Sequence, residues 1–321
     1  MSKGLQSIKG KSKRKRLGWL ETWQLTKTTF VEYFSESTFR HAAALAYYAI
    51  FSLIPMLYLG VYFFGRILGN ETVQSLVFNF LSGHVGMQDV SGIMEILQSY
   101  DVEKRNPVME IVGIVTLLFS SSAFVVSLHK SISDFLDIEP VKAPVKRMIL
   151  RTVLSRLLAI GFIGILGFIV ILVYMTQTVL ISMSQDVISN PTLSFLFNNG
   201  LAHAASIATN FLIFTMMFKY IHDGKVRWRA AMYGAMITAL LVYLGQVLIK
   251  YYLTNFFFAA DGGVVGSIFV ILAWIFYTSQ ILFLGAKFVK VYSEMAGIPV
   301  VPRYKLIVKN GEEEVVENKK E

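Results

Sequence analysis

The sequence predicts an all-α polytopic membrane protein: a six-transmembrane-helix bundle with amphipathic extracytoplasmic helices and a cytoplasmic interfacial N-terminal helix. Three observations carry this. Several apolar runs are each long enough to cross the roughly 30 Å hydrocarbon layer. Of the 321 residues, 55% are hydrophobic and only 16% are charged, against about 25% charged in a soluble domain. The basic residues also collect in alternate loops, the asymmetry that sets membrane orientation.

Residues 1–17 hold Lys9, Lys11, Lys13, Arg14, Lys15 and Arg16 and read as a basic cytoplasmic tail that meets anionic lipid. In residues 18–39, Trp19, Trp23, Phe30 and Phe34 recur at nearly helical spacing, with Glu21, Lys27 and Glu32 on other faces. That pattern suits a helix at the headgroup boundary, and it equally suits packing against the protein's own cytoplasmic side. The membrane domain covers residues 18–292, with spans over residues 41–68, 108–128, 150–178, 201–218, 230–253 and 263–291. The first span opens with Ala42 to Ala44, Ala46 and the pair Tyr47-Tyr48, and Pro55 interrupts its apolar run. Residues 70–106 carry two apolar stripes at helical spacing, parted by Ser82-Gly83 and Gly86, and predict two short extracytoplasmic helices. The second span centres on Ser120-Ser121-Ser122. Arg151 and Arg156 stand in the first turns of the third, where they reach the cytoplasmic interface. The following loop to Gly200 has no lysine or arginine. The last three spans carry Asn210, then Gly234, Gly245 and Gln246, then Trp274, Gln280, Gly285 and Lys287. Residues 293–321 read as a hydrophilic, flexible cytoplasmic tail ending in Glu312-Glu313-Glu314.

The loops with Lys142 to Arg147 and Lys219 to Arg229 are rich in basic residues, and those after the third and fifth spans have none. Six spans with both termini cytoplasmic fit this distribution, in a bacterial inner (plasma) membrane. No cleavable signal peptide is expected. The net charge of +9 sits mostly beside the spans, so topology accounts for it and nucleic acid is not an expected partner.

The chain has no cysteine, which removes disulfides, thiolate metal sites and cysteine nucleophiles. His41, His84, His129, His203 and His222 are scattered over different segments. There is no HExxH, no paired-aspartate motif and no P-loop. We therefore expect no catalytic residue, no metal site, no cofactor and no enzyme activity.

Four stretches resemble the YihY/virulence factor BrkB family of bacterial inner-membrane proteins: AAALAYYAIFSLIP from Ala42 to Pro55, FSSSAFVVSL from Phe119 to Leu128, VRWRAAMYGA from Val226 to Ala235, and GVVGSIFVILAWIFYTSQILFLGAKF from Gly263 to Phe288. The resemblance covers roughly residues 18–292. It implies a six-helix transport or lipid-handling protein, and part of that family once carried a ribonuclease BN label. The chain departs from the family at Lys287, where the resemblance implies a glutamate, at Glu36-Ser37 in place of an aspartate, at Ile221-His222 in place of a proline, and at Gly262 in place of a tyrosine.

Polar groups within apolar spans are costly and face the bundle interior. The candidate substrate pathway is therefore His41, Tyr47, Tyr48, Pro55, Ser121, Ser122, Asn210, Gln246, Gln280 and Lys287. Pro55 removes a backbone donor near the middle of its span, as broken helices do at transporter sites, and a purely structural kink is the alternative. Arg40, Arg151, Arg156, Arg227 and Arg229 form a candidate rim for anionic headgroups. Each has a bland reading as well: interfacial tyrosines, helix-bridging amides, a Lys287 that snorkels to the inner interface, and arginines that topology already requires. The expected function is an inner-membrane transporter or lipid- and amphipath-handling protein, its partners membrane lipids and a small or amphipathic substrate. The alternative is a non-transporting membrane scaffold that binds partners at its cytoplasmic face.

Overall fold

The computed structural model describes residues 19–35, 37–52, 69–80, 107–138, 172–173, 175–176, 179–182, 190–256, 263–302, 304–309 and 312–317. Its helices are α1 (Trp19–Ser35), α2 (residues 38–52), α3 (Asn70–Phe80), α4 (Pro107–Phe135), α5 (Pro191–Tyr220), α6 (Trp228–Phe256) and α7 (Gly263–Met295). Among the described residues, three helices are long and apolar enough to cross a membrane, over Thr192–Tyr220, Trp228–Tyr252 and Ile268–Met295. The expected third span at 150–178 lies almost wholly outside the described residues. So do the second half of the first span, with Pro55, and the second of the two helices expected in residues 70–106.

Helix α7 is the hub, in contact with α1, α4, α5 and α6. The core gathers Leu128, Ile132 and Phe135 of α4, Phe214 and Phe218 of α5, Ala231, Ala235 and Ala239 of α6, and Phe283, Ala286 and Val289 of α7. Small residues set the α6–α7 approach, since a Cβ on Gly285 would overlap the hydroxyl of Thr238 and crowd Phe218. Helix α2 uses the same device. Its buried Ala42 and Ala46 stand one turn apart and, with Leu45, face inward, which explains the alanine-rich opening of that span.

The N-terminal helix combines the two readings that its sequence allows. Leu25, Thr29 and Tyr33, at i, i+4 and i+8, are buried, while Trp23, Phe30 and Phe34 are exposed. Thr38, itself buried, donates its hydroxyl to the carbonyl of Tyr33 at 2.8 Å. One of the carbonyls left over at the end of α1 is thereby satisfied, and the elbow into α2 is fixed.

Two boundaries move. The loop expected up to Gly200 is helical from Pro191, because Asn190 accepts from the backbone N–H of Thr192 and Leu193 at 3.0 and 3.3 Å and proline takes the first helical position. Asn-Pro is a helix-start signal, and it outweighs the polar composition of that stretch. The expected flexible tail also contains strands. Val301–Pro302 pairs antiparallel with Gly224–Lys225, and Tyr304–Lys309 pairs with Glu312–Glu317. Asn310-Gly311 between them is the preferred dipeptide of a two-residue hairpin.

The α6–α7 approach gives a test. Gly285→Ala should destabilise the protein by about 1–3 kcal/mol through overpacking, and adding Thr238→Ala should recover part of the loss. Thermal unfolding in detergent measures both.

Candidate functional site

The charged part of the site lies where α4 ends, beside α1 and the C-terminal half of α7. Lys287 is only 1% exposed, although it sits in the most apolar of the described helices. A lysine taken out of water needs opposite charge close by. Its Nζ stands 3.5 Å from Asp137 Oδ1 and 3.7 Å from Glu32 Oε2. One turn on, Lys290 Nζ lies 2.8 Å from Glu32 Oε2 and 2.5 Å from Asp137 Oδ2, with Glu294 at 3.9 Å. Two lysines of one helix thus meet carboxylates from two others. Lys287 therefore does not snorkel; it is enclosed by protein, with its ammonium 6.0 Å from the centre of the Phe135 ring.

Asp137 owes its position to an unusual helix ending. Ile138 N–H donates to the Ser133 carbonyl at 2.9 Å and Asp137 N–H to the Asp134 carbonyl at 3.1 Å, the two bonds of a Schellman stop. Its left-handed position is taken by Asp137, at φ 52°, the one non-glycine with positive φ among the described residues. Helix α7 ends on the same motif, Ile298 to Ser293 and Gly297 to Glu294, with glycine at φ 70°. An L-residue in this conformation costs about 1 kcal/mol. What the aspartate contributes in return is a carboxylate aimed at α7.

His41 joins the same junction from α2. Its Nδ1 is 2.9 Å from Ser131 Oγ of α4, and its ring meets Phe135 and Phe283 edge-on at 5.6 and 6.1 Å. Those two phenylalanines stack on each other at 4.6 Å. Next door, His222 at the end of α5 is buried, with Nδ1 accepting from Gly224 N–H at 3.0 Å and Nε2 donating to the Phe218 carbonyl at 2.8 Å. The two bonds fix its neutral tautomer and cap the helix where the resemblance implies a proline.

A second polar group of residues lies roughly 14 Å further along α7, at 1.5 Å per residue. Ser206 of α5 donates to Gln246 of α6 at 3.1 Å, and Tyr277 of α7 donates to the Leu241 carbonyl at 3.0 Å. Phe218 lies against Gly285, so helical rise brings Asn210 to the depth of Thr278. Among the described residues, Asn210 Nδ2 and Thr278 Oγ1 are both buried without a hydrogen-bond partner, as is Gln280 Nε2. Thr209, Thr215 and Thr238 all return their hydroxyls to the carbonyl four residues earlier, at 2.7–2.8 Å. Thr278 does not. Gln280 is tied to α1, its Oε1 accepting from the Tyr33 hydroxyl at 2.5 Å, and burial pushes the Tyr33 phenol up to about 12.

The other described residues among those predicted do not converge here. Tyr47 is exposed and edge-on to the partly buried Tyr48. Arg40, Arg227 and Arg229 are exposed, and Arg40 donates to Ser37 Oγ at 2.7 Å. Pro55, Arg151, Arg156 and the side chains of Ser121 and Ser122 lie outside the described residues. Among the described residues no three His, Asp or Glu side chains gather as a metal site would need. Glu32, Tyr33, Asp137, Thr278 and Lys290 are absent from the sequence-based candidates. Asp137 carried the one visible hint, since it follows an apolar helix with no glycine to stop it.

The Asp137 pairing gives a pH test. Burial alone pushes its carboxyl up, but the hydrogen bond from Lys290 and the positive charges of Lys287 and Lys290 outweigh that and hold it below the usual carboxylate range. A lowered folded-state value contributes stability that is complete above the ordinary carboxylate pKa of about 3.9 and is lost as pH falls through the folded value. Facing groups are Lys287 and Lys290 on α7 and Glu32 on α1, with Glu294 beyond Lys290. Asp137 is half exposed, so the gain is about 1 kcal/mol or less. Thermal unfolding should show wild type above Asp137→Asn by a constant margin above about pH 5, and the two converging below it.

The chain matches the family model described as Virulence factor BrkB over residues 29–302. A UPF0761 membrane protein of Pseudoalteromonas translucida is 24% identical over 249 residues, 77% of this chain and 78% of the relative. One of Chromohalobacter salexigens is 22% identical over 255 residues, 77% and 57% of the two chains. A shorter match, 33% identical over 81 residues, joins 25% of this chain to 28% of a UPF0761 membrane protein of Idiomarina loihiensis. In that match and in one to Glaesserella parasuis, this chain spans only 28% and 36% of the relative's length. No solved structure matches. With the family model covering most of its length, including α2 and α4–α7, this membrane protein belongs to the virulence factor BrkB family.

Proposed function

We propose that this protein is a six-helix, multi-pass protein of the bacterial inner membrane, both termini cytoplasmic, that moves or accommodates an amphipathic substrate without enzymatic chemistry. The observation that carries the reading is the mid-depth polar belt. Its unpartnered Asn210 Nδ2, Thr278 Oγ1 and Gln280 Nε2 are costly in an apolar bundle, at about 1–3 kcal/mol each, and are suited to hydrogen-bond the polar portion of a lipid or solute. The count of six rests on the three apolar helices α5–α7, on α2 and α4, and on the apolar run at 150–178. Arg227 and Arg229 beside Trp228, with Lys219 Nζ 5.4 Å from the Trp228 ring centre, support a cytoplasmic interface that attracts anionic headgroups.

A second reading is a scaffold that binds protein partners. The hairpin Tyr304–Glu317 supports it, because in the described residues each of its strands pairs only with the other, and an open edge accepts a further strand.

Reconstitution into liposomes separates the two. With headgroup-labelled lipids and small solutes tested in turn, movement across the bilayer should exceed that of protein-free vesicles, and Asn210→Leu with Thr278→Val should reduce it at least tenfold. Absence of movement for every lipid and solute tried, with correctly folded protein, refutes transport.

A further inference from the structure

Neighbouring residues of α1 hold two different parts of α7. Tyr33 hydrogen-bonds Gln280, whose second amide atom is one of the unpartnered groups, while Glu32 meets Lys287 and Lys290. Among the described residues the buried face of α1 is the stripe of Leu25, Thr29 and Tyr33, and Trp23, Phe30 and Phe34 are exposed. Asp137 completes the charge balance from α4. Its carboxylate is unnecessary for ending the helix, since α7 ends on the same motif with Gly297. We propose that Glu32, Asp137, Lys287 and Lys290 form an ionic clasp that holds α1 as a strap across Gln280, and that release of the strap is the motion that uncovers the polar belt.

The clasp is built for release. Its lysines are anchored on the hub helix, Lys287 buried and Lys290 partly so, at 1% and 12% exposure of the side chain, whereas Glu32 and Asp137 are 30% and 53% exposed. Water and ions therefore reach the carboxylate half first. Opening removes the charge tie and the Tyr33 bond together, because the two residues are adjacent on one helix. The consequence for the belt rests on its reading as a passage; the clasp itself is testable with no substrate present.

The cysteine-free chain allows clean spin labelling. Lys27→Cys on α1 and Met236→Cys on α6, in the full chain in lipid nanodiscs, report the position of the strap by pulsed-EPR distance measurement. Wild type should give one narrow distribution. Asp137→Asn and Asp137→Gly should both broaden it by adding a displaced population, although glycine suits the backbone better than aspartate. A distribution left unchanged by Asp137→Gly, with a higher Tm, would show Asp137 to be only a helix stop and would overturn the proposal. A second label pair, Leu244→Cys with Phe269→Cys, reports whether α6 and α7 keep their arrangement. Should an Asp137 variant disturb that pair, Glu32→Gln decides: removing only that charge should broaden the strap distribution, and a distribution left unchanged refutes the clasp. Because no flux is measured, failure of the transport reading leaves this result standing, and the reverse also holds.

Discussion

A lysine enclosed in an apolar helix bundle is the constraint on which much of this structure depends. Lys287 lies on α7, the helix that touches α1, α4, α5 and α6, so it cannot be moved aside without moving the core. Leaving it without opposite charge would cost several kcal/mol. The chain meets that demand from two directions at once. Helix α1 is held against α7, bringing Glu32, and α4 ends in a left-handed turn that presents Asp137. The positions of α1 and of the α4 terminus are thereby coupled to one ammonium group.

The same junction shows how a departure from the family pattern is absorbed. The resemblance implies a carboxylate at position 287, which would stand beside Glu32 and Asp137 and repel both. A lysine there, followed by Lys290, balances those two carboxylates. A similar substitution of means occurs at the end of α5, where His222 caps the helix through both ring nitrogens. In each case the local chemistry differs and the geometric task, ending or fastening a helix, is preserved.

Much of the architecture was legible in the sequence because it follows from length and hydropathy. The runs that became α5, α6 and α7 are long and apolar, whereas the close packing of Ala42 and Ala46 was not read from the alanine-rich opening of the first span. The clasp was not legible. Glu32 reads as the polar face of an interfacial helix, and only folding brings it to Lys290 across more than two hundred residues of chain. Asp137 reads as a loop residue, because nothing local requires it to adopt positive φ. Asn210, Gln246 and Gln280 were visible as polar residues in apolar spans. Which of them is satisfied depended on Ser206 and Tyr33, whose reach is a tertiary matter. Two further signals were present in plain view: Asn190-Pro191 as a helix start and Asn310-Gly311 as a hairpin.

The most direct test of this account is the chemical accessibility of Lys287. Amine acylation of the folded protein in nanodiscs, quantified by mass spectrometry, compares it with the exposed Lys27 and Lys250. Enclosure by protein predicts modification of Lys287 at less than a tenth of the rate at Lys27, rising when Glu32→Gln and Asp137→Asn are combined. Modification of Lys287 as fast as Lys27 in the wild type would contradict the account, because it would place the ammonium in water and leave the clasp without its buried charge.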